Sequence, residues 1–399
     1  MNRRWPAFLF LLWQAGAALA AAPPPSANPP ASVRIGYVDL QNDPRYRTDN
    51  SYTGIVFHTL GRPYPGAELG VQDAQLIGRV IGSQFVLDRK SAGSAADLPA
   101  LAKTLVADGD HFIIADLPAP DLLKLADSLR GQPALVMNVS APDDSLRGAD
   151  CRRNVVHLIP SNSMLTDALV QYLVAKNWKH ILALQGPAKE DAGEIAALRH
   201  SARKFGATVD AVRPFVLGTD PRHRDENNVA LMTANSDADV IFVADSGGEF
   251  ARYVPFETHD PRPVVGDAGL MPLAWHWTWY GNGAPQLQHR FEKLAAPRRM
   301  NPEAWAAWAA VKAVTQSVMR ARSGDFGQVE RFMLGGKINI DGAKGKPMSF
   351  RRWDHQLRQP ILLATADAVI ARAPLPQYLH QTNDLDTLGY DAPESACHF

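Results

Sequence analysis

The chain predicts an α/β protein with two parallel-sheet domains in tandem, and three observations carry that expectation. Apolar runs of strand length alternate with stretches of helix length, first from Val33 to Ser140 and again from Asn154 to Asp267. The strands are continuous apolar runs rather than alternating ones, which suits a parallel sheet covered on both faces. The length, 399 residues with 46% hydrophobic and 21% charged, exceeds one compact core and fits two domains.

Taken in order, "VRIGYVDL" (33–40) is a first strand, and a long polar segment, Gln41 to Pro65, follows it. "GAELGVQDAQLIGRVIG" reads as a helix with Leu69, Ala74, Ile77 and Ile81 on one side. Strands "SQFVLDRK", "HFIIADL" and "PALVMNVS" then alternate with helices "DLPALAKTLVADG" and "APDLLKLADSLRG". Ala141 to Asn154 breaks the rhythm with Pro142, Asp143, Asp144 and Gly148. The alternation restarts with a helix from Met164 to Lys176, strand "KHILALQG", helix "EDAGEIAALRHSARKFG", strand "TVDAVRPFVL", helix "RDENNVALMTANS" and strands "DVIFVADSG" and "PRPVVGD". After Asp267 come two helices, "APQLQHRFEKLA" and "PEAWAAWAAVKAVTQSVMRARS". In the second, Pro302 suits the first turn, and Trp305 and Trp308 at helical spacing are core residues rather than a ligand box. "SFRRWDHQLRQPILLATADAVI" predicts a hairpin turning at Asp354 to Gln359, and Ala373 to Phe399 reads as an irregular tail.

Lys+Arg and Asp+Glu are both 41, so formal net charge is zero, and no basic patch interleaved with aromatics marks a nucleic-acid partner. Residues 1–20 read as a cleaved export signal. Arg3 and Arg4 precede a short apolar run too short to span a membrane, and Ala18-Leu19-Ala20 fits the cleavage pattern. A Pro-rich linker, 21–32, follows. The two cysteines, Cys151 and Cys397, are expected to pair in an oxidising compartment and to tie the tail to the middle of the chain.

The elements "RIGYVDL", "NVVHLIPSNSMLTDALVQYLVAKNWKHILAL" and "WAAWAAVKAV" resemble the type I periplasmic solute-binding proteins of ABC transporters, in the branched-chain amino acid branch. A narrower likeness lies in "DDSLRGADCRRNVVHLIPS", "FRRWDHQLRQPILLA" and "LHQTNDLDTLGYDAPESACHF". These are similar to the subgroup associated with PQQ-dependent alcohol dehydrogenase systems. The resemblance implies two Rossmann-like parallel-sheet lobes joined by a three-crossing hinge, the type I periplasmic binding protein fold. Lobe 1 would hold 33–140 plus 269–335, lobe 2 would hold 141–267 plus 338–373, and 374–399 would be the tail. It implies a monomer in the periplasm that closes around one small ligand and is then read by ABC permease subunits, with no cofactor or resident metal. The alternative is a sensor or accessory protein for a PQQ-dependent dehydrogenase.

In open parallel sheets ligands bind at the carboxyl ends of the strands. That places Asp39, Gln41, Asp43, Asp116, Asn138 and Ser140 in the first lobe's half of a cleft. Gln185, Gly186, Asp245, Ser246 and Gly247 belong to the second lobe's half, and Asp267 to the second crossing. Each also has a plain reading as a cap or turn former. The cluster Ser161-Asn162-Ser163 ahead of the 164–176 helix is read as capping, away from the cleft centre. The family's amino-acid binders hold a carboxylate with a hydroxyl after the third strand, where this chain has Asp116, Pro118 and Pro120. Asp267 does match the family's ammonium-holding acid. An α-amino acid is therefore not expected as the ligand; a polyol, an amine or a metal-bearing ligand suits the aspartates better. The dehydrogenase association adds an alcohol or its oxidation product, PQQ or a metal as candidates. G-x-S-x-G, H-E-x-x-H, P-loop and G-x-G-x-x-G patterns are absent and the twelve histidines are scattered, so no catalytic constellation is expected.

Overall fold

The computed structural model describes residues 32–46, 61–218 and 220–399. The expected export signal, most of the linker, and much of the long segment after the first strand lie outside these residues. Among the described residues no helix is long and apolar enough to cross a membrane.

The first sheet has five parallel strands in the order β2-β1-β3-β4-β5: β1 (Ser32–Leu40), β2 (Gln84–Ala92), β3 (Phe112–Asp116), β4 (Leu135–Asn138) and β5 (Val155–His157). Helices α1 (Tyr64–Ile81), α2 (Leu98–Ala107) and α3 (Ala119–Ser128) connect them. β5 pairs with β4, so this sheet runs past residue 141, where the sequence reading began the second lobe. The break at 141–154 misled that reading, because a chain that leaves a sheet through Pro and Asp can still return to it.

α4 (Asn162–Ala175) then leads into a second parallel sheet, β7-β6-β8-β9. Its strands are β6 (His180–Gln185), β7 (Thr208–Pro214), β8 (Val240–Ala244) and β9 (Val264–Gly266), with α5 (Lys189–Phe205), α6 (Val229–Thr233) and α7 (Val254–Glu257) between them. The helix expected at 224–236 is only a 3₁₀ segment, Pro221–Asn227, followed by α6. Asn228 accepts from Leu231 N and restarts the helix there, and its extended backbone breaks the continuity.

A third, antiparallel sheet, β10-β13-β14, was not foreseen. β10 (Met271–Leu273) follows the second crossing, and a minor ribbon, β11 (Ile340–Asp341) with β12 (Pro347–Met348), precedes β13 (Ile361–Ala364) and β14 (Val369–Ala373). The β13–β14 hairpin turns between residues 364 and 369; around Asp354 to Gln359 the chain also doubles back, with Arg351 N donating to Gln356 O and Arg358 N to Ser349 O, but this pairing does not extend into strands. The latter segment is a crossing, in which Gln356 bridges to His157 and Leu357 to Phe350.

Helices α8 (Ala284–Ala295), α9 (Pro302–Ala321) and α10 (Phe326–Leu334) complete the first lobe. α1 lies hard against α9 because Gly66 and Gly70 face it: a Cβ on Gly66 would collide with the Ala304 carbonyl. Trp305 and Trp308 are buried as expected. Apolar clusters cover both faces of each large sheet, which is why the strands carry unbroken apolar runs.

Three crossings join the lobes, and side chains lock them to one another. Arg147 is buried and donates to Ala141 O (2.8 Å), Asp143 O (3.0 Å), Ile159 O (2.9 Å) and Gln356 Oε1 (2.8 Å). Gln356 returns to His157 O and Ile159 O through Nε2. The buried side-chain nitrogen of Lys344, which burial pulls well below the usual lysine range, donates to Ala274 O (2.9 Å), after the second crossing, and to Gln359 Oε1 (2.7 Å), on the third. Gln359 in turn donates to Leu158 O on the first. Cys151 and Cys397 form a disulfide, Cα–Cα 5.6 Å, which fixes the tail beside the first crossing.

Candidate functional site

At the carboxyl edge of the first sheet, the acids are occupied by the chain's own cations. Asp39 is buried and accepts from Arg89 Nη2 (2.7 Å), Arg62 Nη1 (3.3 Å) and Ser91 Oγ. Asp116 accepts from Tyr46 OH (2.7 Å) and Arg45 Nη2 (3.1 Å), and Asp43 pairs with the same guanidinium at 2.6 Å. Burial pushes the Asp116 carboxyl up, and Arg45 offsets part of that. Gln41 is exposed and lends its carbonyl to Arg62. Asn138 builds a turn: its Oδ1 accepts from the amides of Ser140 and Ala141, and its Nδ2 donates to Ala141 O and reaches His157 Nδ1 at 3.0 Å. Ser140 donates weakly to Leu117 O at 3.4 Å.

The second sheet's carboxyl edge differs. Asp245 caps the turn that follows β8, with Oδ2 accepting the amides of Phe250 and Ala251 at 2.8 Å each. Asp191, in the first turn of α5, accepts from Ala188 N and Ser246 N, so Ser246 contributes its backbone while its side chain is exposed. Gly186 leaves the room Asp191 needs. Gln185 ends β6 half-buried. Gly266, at φ +103°, turns the chain off β9 where any Cβ would strike Val243. That turn swings Asp267 into a pocket of about 100 Å³.

The pocket is lined by Asn162, Leu165 and Thr166 of α4, Glu194 of α5, Gly266 and Asp267, and Met271, Pro272 and Leu273 of β10. Asp267 Oδ2 accepts the Asp245 amide at 2.6 Å, and its carboxyl is hydrogen-bonded to that of Glu194. Two carboxyls in such contact hold one proton between them. Burial raises Glu194 well above the usual carboxylate range, and the Asp267, Asp191 and Asp245 carboxyls add to it. Burial likewise raises Asp267, to about 6. Among the described residues no Lys or Arg lines the pocket.

Of the expected site residues, the structure places only Asp267 in this pocket. Asp39 and Asp116 lie at the other sheet's edge, already ion-paired, and Asn138 and Asp245 are committed to turns. Ser161 caps α4, accepting Met164 N at 3.3 Å, as a capping reading requires, whereas Ser163 donates its hydroxyl (2.7 Å) and its amide (3.1 Å) to the Asp144 carboxylate and caps nothing. Asn162 departs from that reading: it is 9% exposed and lines the pocket. Glu194 was missed. Its signal was present, since Asp191, Glu194 and Leu198 fall at i, i+3 and i+7, which puts a half-buried Glu194 in line with the buried Asp191 and Leu198.

The acid pair makes a stability prediction. The raised Asp267 carboxyl holds its proton in the folded state up to about pH 6, whereas the unfolded chain releases it near 4. Folded protein binds more protons in that window, so this group's contribution falls as pH rises through it. Asp267→Asn should therefore gain about 2 kcal/mol on the wild type between pH 4.5 and pH 7.5. Urea unfolding at both pH values measures it; a constant difference between the two curves would contradict the shared-proton geometry.

A family model described as periplasmic binding protein matches residues 59–255. No curated protein sequence matches the chain. Among solved structures, the branched-chain amino acid ABC transporter periplasmic ligand-binding protein of Burkholderia xenovorans LB400 is similar at TM-score 0.69 and 14% identity, covering 92% of this chain and 99% of that one. The branched-chain amino acid transporter substrate-binding protein of Streptococcus pneumoniae, solved with isoleucine, aligns at 0.63 and 15% identity over 86% and 98%. An ABC transporter solute-binding protein of R. palustris, solved with 4-hydroxybenzoate, aligns at 0.63 and 13% identity over 86% and 97%. The chain thus has the type I periplasmic binding protein fold, and its residues 59–255 match the periplasmic binding protein family.

Proposed function

We propose that this chain is the periplasmic ligand-binding component of an ABC transporter, exported by a cleaved signal over residues 1–20. It closes two lobes on one small ligand as a monomer, carries out no covalent chemistry, and is then read by permease subunits in the inner membrane. The observation that carries this reading is the acid-lined pocket beside the second crossing, at the carboxyl end of β9. The same fold holds isoleucine in one relative and 4-hydroxybenzoate in another. The residues proposed for ligand contact are Asp267, Glu194 and Asn162, with Gln185 at the neighbouring strand end.

A second reading is favoured by where the dehydrogenase-system segments fall. "DDSLRGADCRRNVVHLIPS", "FRRWDHQLRQPILLA" and "LHQTNDLDTLGYDAPESACHF" meet one another through Arg147–Gln356, Arg351–Asp386 and Cys151–Cys397. What sets this chain apart is then a clamp on the hinge rather than a set of ligand contacts. Such a clamp also suits a sensor or accessory protein serving PQQ-dependent alcohol oxidation.

A thermal-shift panel of alcohols, aldehydes, carboxylic acids, amines, amino acids, PQQ, and calcium or lanthanide ions tests the first reading. A ligand at 100 times its Kd adds about 2.7 kcal/mol, a readily visible shift. One stabilising chemical class supports the binder. A silent panel, repeated on refolded protein to strip copurified ligand, removes the binding reading and leaves the accessory one, which capture of the dehydrogenase would then support.

A further inference from the structure

Three aspartates of the first lobe converge at the amino end of β3, far from the carboxyl edge of the sheet. Asp88 stands in β2 opposite Gly36 of β1, and Asp108 and Asp110 lie in the turn from α2 to β3. One carboxylate oxygen from each lies within 4.8 Å of the others. Gly109, at φ +92°, reverses the backbone after α2 and sends Asp110 inward. Gly36 has no Cβ where Asp110 presses on β1; one built there would lie 3.3 Å from the Asp110 Cβ.

Acids often gather on a surface, but Asp110 is not on the surface. Its side chain is 0% exposed, and neither of its carboxylate oxygens accepts a hydrogen bond. Arg34 Nη2 stops 3.6 Å away because the guanidinium is drawn to Asp88, and Arg34 Nε is left without an acceptor. Lys90 reaches Asp108, at 3.7 Å. Burial, only partly offset by Arg34, pushes the Asp110 carboxyl up to about 6, and the Asp88 and Asp108 carboxyls add to the shift. A carboxylate closed off from water with no donor is an arrangement that a cation completes.

The donor set names the cation. The cluster offers oxygen alone, with no His or Cys, which favours a hard ion over zinc or copper. Three carboxylates supply up to six oxygens. Asp88 and Asp108 are partly exposed, so water can complete the six to eight that calcium takes. Oxygens about 2.4 Å from one calcium ion can stand about 4.8 Å apart, whereas the stricter magnesium shell draws them within about 4.2 Å.

We propose that Asp88, Asp108 and Asp110 bind one calcium ion, which pins the α2–β3 turn to β2. This departs from the expectation that the chain carries no resident metal. It does not rest on the Asp267 pocket, and either assignment can fail alone. As the ion enters, Arg34 leaves Asp88; its side chain is 33% exposed and turns out to water, as that of Lys90 does. Displacing two cations keeps the affinity low, at a Kd of about 10⁻⁴–10⁻³ M, the range of extracellular calcium modules.

Isothermal titration of the chelator-treated mature protein with calcium chloride at pH 7.5 tests it. One ion per chain should bind in that range, about tenfold more tightly than magnesium. Calcium at 10 mM should raise the melting temperature. Asp110→Asn should weaken calcium by about tenfold or more and abolish that rise. Its melting temperature without calcium, expected at or above wild type because a buried charge without a donor is gone, shows that it folds. Arg34→Met should act the other way and tighten calcium about fivefold, since the competing guanidinium is removed. Glu190→Gln, an exposed acid of the second lobe, and Asp267→Asn should leave affinity unchanged. No calcium binding up to 10 mM overturns the site; a shared proton between Asp110 and Asp88 would then take the cation's place. Unchanged affinity in Asp110→Asn, weaker calcium in Arg34→Met, or magnesium bound as tightly as calcium overturns it as well. A calcium response that survives Asp110→Asn and disappears in Asp267→Asn belongs to the ligand pocket, and overturns this site while leaving the binding function standing.

Discussion

Replacing Arg147 by alanine should destabilise the protein by about 3–5 kcal/mol, among the largest effects of any single side chain. The guanidinium lies in the interior of the hinge, and burial pulls it down to about 10, which still leaves it charged at neutral pH. Its removal strands four acceptors: the carbonyls of Ala141, Asp143 and Ile159, and Gln356 Oε1. Each buried acceptor left without a donor costs about 1–3 kcal/mol, less what water recovers. Arg147→Lys keeps the charge but reaches fewer acceptors, because the planar fork that bonds in several directions is gone. It should lose roughly half as much. Urea unfolding measures both, and a loss under 1 kcal/mol for the alanine variant would show that the crossings hold without this residue. The residue touches no ligand pocket, so any change in ligand affinity of the lysine variant would report hinge mechanics rather than contact.

Removing the disulfide, by Cys151→Ser with Cys397→Ser, should cost about 3–5 kcal/mol. The cross-link separates residues 246 apart in sequence, so it removes a large loop-closure freedom from the unfolded chain. Other tail contacts remain. Arg351 donates to Leu388 O and to Asp386, Arg358 binds Asp386 at 2.7 Å, and Lys204 reaches Gly389 O at 2.7 Å. The segment around residues 384–390 should therefore stay docked, while Ala396 to Phe399, including the Phe399 ring stacked on His355, loosens. Amide exchange read by mass spectrometry should show faster exchange at the extreme C-terminus and around Cys151, and not at 384–390. Wild type in reductant should melt like the double variant. Equal melting temperatures for the oxidised and reduced protein would mean that tail packing alone sets the hinge.

The sequence by itself determined the fold class. Two rounds of apolar strands and amphipathic helices can bury their faces only as two covered parallel sheets, and both sheets are present. It also made a Cys151–Cys397 pairing the expectation, since two cysteines allow a single bond within the chain, and the structure carries that bond. The Trp305 and Trp308 spacing marked a buried helix, and Ser161 marked the cap of α4.

Only the tertiary structure decided where β5 belongs, because strand pairing is a non-local event and a polar break does not reveal which sheet the chain rejoins. The same holds for β10, whose three residues are too few for a pattern and are fixed by β13 beside them. The site divided along the same line. That acids stand at strand ends was legible; that Arg45, Arg62 and Arg89 neutralise Asp116 and Asp39 was not, since the partners lie up to 71 residues apart in sequence. Glu194 and Asn162 come from two different helices, and only their packing beside Asp267 joins them into one pocket. Charge balance inside a cleft is a property of distances, and a one-dimensional sequence carries the residue types but not those distances.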